Sequence, residues 1–381
     1  MSHPDFLPTG KPVVGYKRSF GELPPGERMG VGVLGLHEGH TMLVALRESG
    51  MCRAVMGCDL SKEKQEQARI ACPGLPMTDS YEEMLANPEV QIVAIYTPDP
   101  LHADQIIQAF RARKNVICTK PLINDASFIP ILLKTAEETG CRLQVGQSTR
   151  FYEPFLRQRE LFEAGQIGEV EVVDAHYNHR MDWWYAKSGW SLTGTHWAYL
   201  GLSHPVDMVR WYLGEIEEVH AFGTTTSLGA LAGLPSFDAI SVNLLGANGR
   251  IGRVLGNYGF HELPRARSLI ECFLMGSAGS SLARYPDLQL TYTGENGVEM
   301  EEDYEGSLAG YHYRHELKGM HYGEFCNYAD YFASCLMSGR ANSPDLKEGL
   351  QTVLVMDAIV RSLESGKVEK VPAIERSEAA G

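Results

Sequence analysis

The sequence predicts an α/β Rossmann N-terminal domain followed by an α+β C-terminal domain with an open, mostly antiparallel sheet. Three observations carry this. Strand-like and helix-like segments alternate from Met29 to about Ser148. Long strands of alternating polarity with Gly/Asn turns fill most of the second half, and two amphipathic helices close the chain. Alternation at this spacing means a parallel sheet with helices on both faces, whereas runs of strands mean a separate antiparallel sheet.

Residues 1–27 are rich in Pro and Gly without period and form an N-terminal arm, loosely ordered or packed on a neighbouring subunit. Residues 28–148 hold VGVLGL, a helix from His40, CRAVMGCDL, a helix from Lys62 to Ala71, QIVAIYT, a helix around HADQIIQAF, NVICT, a helix ending near Gly140, and CRLQVGQ. Residues 149–381 begin with the helix EPFLRQRELFEAG and continue in EVEVVDAHYN, EEVHAFGTTTS, FDAISVNLLG, GRIGRVLGNY, SLIECFLMG and LQLTYT. The helices GEFCNYADYFASCLMSG and LKEGLQTVLVMDAIVRSLESG come last. A sheet with one face uncovered leaves apolar side chains of SVNLLG and GRVLGNY on alternate positions, which predicts a homodimer or homotetramer paired through that face.

Composition narrows the function classes. With 381 residues, 44% hydrophobic and 22% charged, the chain is globular and long enough for two cores. A net charge of -14 without any Lys/Arg stripe argues against nucleic acid or an acidic membrane as partner. No apolar run approaches the roughly 20 residues that cross a bilayer, and MSHPDFLPTGKPVVGYKRSF lacks the apolar core of a signal peptide, so a cytoplasmic protein is expected. Eight cysteines without a C-x-x-C pair suggest neither a zinc ribbon nor a disulfide framework.

The stretch GVGVLGLHEG contains G-x-G-x-x-G in literal form at Gly30, Gly32 and Gly35, inside an apolar run. A phosphate-binding turn has to come after the first strand and open a helix. The better turn is therefore Gly35-Leu36-His37-Glu38-Gly39, with HTMLVALRES as the helix and Gly50 closing it. Asp59, 24 residues after Gly35 at the end of the second strand, suits the adenosine ribose hydroxyls and repels a 2'-phosphate, favouring NAD over NADP. The competing role is capping of the next helix at Ser61. The loop Thr97-Pro98-Asp99-Pro100-Leu101-His102 lies at the carboxyl ends of the strands, where open α/β sheets bind ligands; a turn capping the helix at residue 102 has the same signature, and spacing does not separate the two. Lys120 ends a buried strand, where an ammonium can hydrogen-bond a substrate hydroxyl and stabilise a developing alkoxide.

The ordered segments GLHEG, CDL, TPDPLH, CTKPL, QSTRFYEP and GLSHPVDMVRWYLGE resemble the glucose-fructose oxidoreductase/inositol dehydrogenase (Gfo/Idh/MocA) family from Met29 to about Lys367. The resemblance implies a Rossmann domain, an open-sheet second domain and NAD(P)-dependent oxidation of sugars or cyclitols. The family's Glu-Lys-Pro becomes Thr119-Lys120-Pro121, which carries the lysine role to Lys120. The family's proton-accepting histidine becomes His204, but the carboxylate one helical turn earlier is Leu200, leaving Asp207, Lys120 or a water to orient the imidazole. Cofactor contacts are expected from Gly35, His37, Glu38, Gly39, Asp59, Thr97, Pro98, His102, Lys120 and Gln147. Rings and imidazoles crowd the segment from His176 to Trp197, among them His179, Trp183, Trp190 and His196. Together with QSTRFYEP they suggest a polyol site with Arg150, Tyr152, His176, Asn178, Trp184 and Asp207 as substrate-binding residues. No spacing enforces a metal site on the histidines. The expected function is NAD-dependent oxidation of a secondary hydroxyl on a sugar, glycoside or cyclitol. The rivals are an NAD-retaining hydrolase or lyase working through transient oxidation, and a non-catalytic NAD- or sugar-binding regulator.

Overall fold

A computed structural model describes residues 19–263, 268–304, 321 and 323–374. Residues 1–18 of the arm lie outside the described residues. The rest of it packs on its own chain: the Phe20 ring meets Tyr331 edge-on at 5.7 Å, and the Leu23 amide donates to the Gly50 carbonyl.

Six strands make the first sheet: β1 (Met29–Leu34), β2 (Cys52–Cys58), β3 (Met77–Thr78), β4 (Ile92–Ile95), β5 (Asn115–Thr119) and β6 (Leu143–Gly146). They are parallel, in the order β3-β2-β1-β4-β5-β6. Their interior is continuously apolar because helices cover both faces: α1 (Gly39–Ala45), α2 (Lys62–Ala71), α3 (Tyr81–Ala86), α4 (His102–Arg111) and α5 (Ile129–Thr139). This strand order switches direction at β1/β4, so the carboxyl ends of β1 and β4 form the crevice where such sheets take ligands.

The second sheet has nine strands: β7 (Val170–His179), β8 (Ile216–Thr224), β9 (Ala239–Gly246), β10 (Ile251–Asn257), β11 (Ser268–Gly276), β12 (Gly279–Tyr285), β13 (Gln289–Gly294), β14 (Glu299–Asp303) and β15 (Glu369–Lys370). Their order is β14-β13-β12-β11-β7-β10-β9-β8-β15, antiparallel except for β7 beside β10. The helices of this half are α6 (Glu153–Glu163), α7 (Asp182–Lys187), α8 (Trp190–Thr193), α9 (Trp197–Leu213), α10 (Ser227–Leu231), α11 (Glu324–Ser338) and α12 (Leu346–Ser365). Helices α6, α9 and α12 pack on one sheet face. On the other, Leu245, Ile251, Val172 and Met275 stand in one row across β9, β10, β7 and β11, with Ile251 half exposed. Among the described residues no helix is long and apolar enough to cross a membrane.

Helix α11 leaves the second sheet and returns to the first. Asp330 on it accepts hydrogen bonds from the Ser49 hydroxyl, the Gly50 amide at 3.0 Å and the Met51 amide at 3.2 Å, fastening α11 to the turn that enters β2. Arg142, at the entrance to β6, donates to the carbonyls of Cys335 and Arg340 at the other end of α11. Replacing Asp330 by Ala strands buried donors at about 1–3 kcal/mol each. We expect the thermal midpoint of Asp330→Ala to fall by about 5 °C or more; a midpoint unchanged by differential scanning calorimetry would remove this tie from the account.

Candidate active site

The turn after β1 is built by Gly35. Its φ is +84°, and a Cβ there would lie 2.8 Å from the Tyr96 carbonyl and 2.9 Å from the Thr97 amide nitrogen, so the β1 and β4 loops close on each other only around glycine. Gly30 and Gly32 sit inside β1, where a Cβ would strike the Glu89 carbonyl and the Met84 sulfur; they serve sheet packing. Asp59 takes the Leu36 amide on Oδ2 at 2.7 Å and the Ser61 amide on Oδ1 at 2.8 Å. It thus braces the turn and the entry to α2 at once. A cradle that a Cβ would fill, with a carboxylate beside it at the end of β2, fits an NAD-type dinucleotide.

Glu38, on this turn, faces the second half of the chain. His321 bridges it to Glu324, the first residue of α11: its Nε2 lies 3.3 Å from a Glu38 carboxylate oxygen and its Nδ1 bonds Glu324. The imidazole also meets Phe325 edge-on at 4.7 Å. Burial alone would push His321 below its ordinary value, but Glu324 and Glu38 overcome it and hold the ring protonated well above 6.5. Burial would raise the Glu38 carboxyl, yet the His321 contact outweighs this and keeps it below its ordinary range.

His204 lies in α9, one residue before Pro205. A proline inside a helix has no N–H for the carbonyl four residues back. That carbonyl, Gly201, instead accepts the Tyr258 hydroxyl, and the two are pressed together so closely that a Cβ on Gly201 would overlap the Tyr258 ring. One residue earlier, the Leu200 carbonyl accepts Lys120 Nζ at 3.0 Å, joining the end of β5 to α9. The Tyr177 ring stands edge-on to His204 at 5.3 Å and 6.0 Å from the Lys120 ammonium. Burial drives the His204 imidazole well below 6.5, and the nearby Lys120 and His321 cations act in the same direction, so the ring is neutral; its Nδ1 is buried without a partner among the described residues. Burial also lowers Lys120 from 10.5, against the opposing pull of Asp99 and Glu38.

These groups line one cavity of about 660 Å³ between the two sheets. Of the expected residues, His37, Glu38, Thr97, Pro98, Lys120, Tyr152, Trp184 and His204 are on its wall. His176 and Asn178 are not, which corrects the expectation. Side chains alternate along β7, and Val173, Ala175, Tyr177 and His179 face the helices, so it is Tyr177 and His179 that reach the cavity. His176 lies on the open face, 2.8 Å from an Asp174 oxygen. Arg150 and Asp207 are likewise corrected: they bind each other at 2.6 and 2.8 Å, 3% and 1% exposed, beneath the site, with the guanidinium stacked 4.9 Å from the Trp211 ring. A closed pair of this kind has no free face for a substrate. His102 is fully buried away from the wall, its ring nitrogens 3.0 Å from the Pro121 carbonyl and 2.8 Å from the Thr97 carbonyl, so it staples the two cofactor-side loops. Gln147 is buried as well and donates to the Ser203 hydroxyl at 3.0 Å. The wall further includes Asp99, which the sequence placed in a loop that either binds a ligand or caps the next helix, and Tyr258, Tyr285 and His321, to which the sequence alone assigned no role. Strand parity signals Tyr177 and His179; His321 has no local pattern around it.

Comparison with known proteins agrees with this geometry. Residues 29–147 match the oxidoreductase family described as an NAD-binding Rossmann fold, and residues 155–280 match the GFO/IDH/MocA C-terminal domain. The chain belongs to the GFO/IDH/MocA family. Among its relatives, inositol 2-dehydrogenase of Rubrobacter xylanophilus is 25% identical over 92% of this chain and 95% of its own length. That of Mycolicibacterium smegmatis is 31% identical over 54% of this chain, and the match spans 58% of its own length. The solved structure of a levoglucosan dehydrogenase with NADH superposes with a TM-score of 0.77 at 22% identity, covering 91% of this chain and all of that one. The family's cofactor, NAD, is the one the turn at Gly35 fits. If Asp59 sets the preference for NAD over NADP, Asp59→Ser should narrow the ratio of the two dissociation constants by about tenfold, roughly 1.4 kcal/mol. An unchanged ratio in fluorescence titrations would leave Asp59 with its bracing role alone.

Proposed function

We propose that this chain is an NAD-dependent dehydrogenase that oxidises a secondary hydroxyl of a sugar, glycoside or cyclitol. The observation that carries the reading is the chemistry of the cavity wall. Broad rings (Tyr177, Trp184, Trp197, Tyr258) alternate with buried polar atoms that have no partner among the described residues: His204 Nδ1, Asp99 Oδ2 and the indole nitrogens of Trp184 and Trp197. Buried donors and acceptors are nearly always satisfied. A polyol, with apolar C–H faces and hydroxyls that both donate and accept, suits such a wall. Relatives named as inositol and levoglucosan dehydrogenases support the class.

The turn at Gly35 and Asp59 would hold NAD, which would supply a hydride acceptor for the carbon that carries the hydroxyl. Lys120 donates to the substrate oxygen: one of its three N–H groups holds the Leu200 carbonyl, which fixes the ammonium and leaves two free. As the hydroxyl gives up its proton, this cation stabilises the charge growing on oxygen. His204, neutral by burial, receives the proton. Tyr177, in edge contact with His204, limits the ring's orientation where the family carboxylate is replaced by Leu200. The turn at Gly35 to Gly39, with Thr97 and Pro98, holds the cofactor, and Tyr152 and Trp184 bound the substrate. Residues 28–148 form the cofactor unit and 149–381 the substrate and assembly unit.

In absorbance assays with NAD and a panel of polyols, we expect His204→Ala to lose at least about 100-fold in kcat with NADH binding retained, and Lys120→Ala to lose a comparable amount, near 3 kcal/mol. Retained turnover in His204→Ala would move the proton acceptor elsewhere. The pH profile has a definite sign. Because the His204 pKa lies well below 6.5, kcat/KM should hold as pH falls through 6.5; because Lys120 is lowered from 10.5, the loss at high pH should set in below that value.

The open face of the nine-stranded sheet, with Phe222, Leu245, Ile251 and Phe273 exposed, supports a homodimer or homotetramer paired there. Light scattering that returned only a single chain at micromolar concentration would oppose it. All eight cysteines are unpaired, which supports the reducing cytoplasm as the compartment.

A further inference from the structure

Asp99 opens a single 3-10 turn, Asp99–Leu101, directly after β4 and between two prolines. An aspartate in such a place ordinarily caps the turn or the helix behind it. Here neither the turn nor α4 receives a side-chain capping bond, so local structure does not account for the carboxyl. It is 4% exposed, lines the cavity, and its Oδ2 is buried without a hydrogen-bond partner among the described residues. Nor is it in an ion pair there: the Lys120 ammonium is near enough to act on it but is bonded to the Leu200 carbonyl. Burial raises the carboxyl above its ordinary range, against the opposing charge of His102, a hydrogen bond from the Thr195 side chain and the charge of Lys120, so that it is the second oxygen, Oδ2, that is left without a donor. A buried carboxyl left in that condition is destabilising to the protein alone and strongly favourable to any donor that enters.

We propose that Asp99 is a substrate-binding residue whose Oδ2 accepts a hydrogen bond from a second hydroxyl of the substrate, beside the one that Lys120 holds and His204 deprotonates. This rests on the reading of the cavity as a polyol site and deepens it. Asp99 and Lys120 line the same cavity and are near enough to act on each other, so a ring carrying neighbouring hydroxyls engages both groups, whereas a monohydroxy alcohol engages only one. The site therefore selects polyols over simple secondary alcohols by the strength of a charge-assisted bond, about 10- to 100-fold.

The test uses the NADH-loaded full chain and three probes: cyclohexanol, trans-cyclohexane-1,2-diol and myo-inositol. Calorimetric dissociation constants are taken for the parent, Asp99→Asn and Asp99→Ala, with NAD-linked turnover alongside. We expect the parent to bind the diol and inositol at least about tenfold more tightly than cyclohexanol, and Asp99→Ala to bring all three together while NADH binding stays at the parent value. Asp99→Asn, which keeps a neutral acceptor of the same shape, should fall between. Both variants should melt close to the parent, since each gives up one hydrogen bond from Thr195 but also a buried carboxyl that is in no ion pair and whose Oδ2 has no donor; a marked drop in melting temperature would assign Asp99 a structural role and overturn the proposal. A diol-to-alcohol ratio unchanged in both variants overturns it too, while the polyol reading stands if the parent still binds and oxidises polyols. A parent that neither binds nor oxidises any of the three overturns both.

Discussion

The contact between Lys120 and the Leu200 carbonyl is the point on which the molecule turns. It joins the residue just after β5 in the first sheet to the helix that lies across the second, and it does so on the wall of the cavity. Its setting depends on two residues. Pro205 withdraws one N–H from α9, so the Gly201 carbonyl turns to the Tyr258 hydroxyl, and Gly201 lets the helix come down onto that ring. The helix is held on the sheet by backbone acceptors, and those acceptors in turn position the lysine. His204 then needs no carboxylate of its own to stay in place: it is packed against Tyr177 in a helix already pinned on both sides. Burial, with the Lys120 and His321 cations acting in the same direction, leaves the imidazole neutral, which is the form that can accept a proton.

A second tie runs from the cofactor turn to α11. His321 between Glu38 and Glu324, Tyr96 stacked 5.7 Å from Phe325 and bonded to the Tyr328 hydroxyl, and Asp330 on the Ser49–Met51 turn form a continuous seam along one helix. The seam gives the carboxyl ends of β1 and β4 a fixed roof. Its electrostatic part has a direction in pH. The His321 pKa is raised in the folded state, so the stability it contributes is fully present below 6.5 and is lost as pH rises through the folded value. Glu38, held below its ordinary value, contributes stability above pH 4.5 that disappears as pH falls. The clasp is therefore complete between these limits.

The architecture was legible because each sheet has its own period: continuous apolar runs such as Ile92–Ile95 for the buried parallel sheet, and alternation such as Ala239–Gly246 for the half-covered one. Short polar strands such as β12, with the run Gly-Ser-Ser-Leu-Ala, escaped since too little of their surface is apolar to show a period. Lys120 and His204, both on the cavity wall, were singled out through the order of segments around them. His176 and Asn178 were misplaced by one residue, and in a strand one residue is the whole thickness of the sheet. Arg150 and Asp207 were misassigned because charged residues near a site suggest ligand contact, and only three dimensions show that they already satisfy each other. His321 was illegible: its partners are 283 and 3 residues away, counting back to Glu38 and forward to Glu324, and no local pattern encodes such a meeting.

The charges around the cavity bear on which molecules can enter it. His321 carries one positive charge between two carboxylates, so the clasp as a unit is negative. Lys120 is positive and His204 neutral. Asp99 adds a carboxyl raised by burial, and the buried guanidinium of Arg150 is consumed by Asp207. An anionic substrate drawn to Lys120 would compete there with the substrate oxygen, and the one further lysine on the wall is Lys64. A cation would be repelled by Lys120 at the point where its reacting oxygen must sit. A neutral polyol avoids both conflicts: it supplies hydroxyl donors to the carboxyl and the imidazole, an acceptor to the lysine, and C–H surface to the rings. On the proposed reading, a neutral polyol therefore meets this wall without adding an unpaired charge to it.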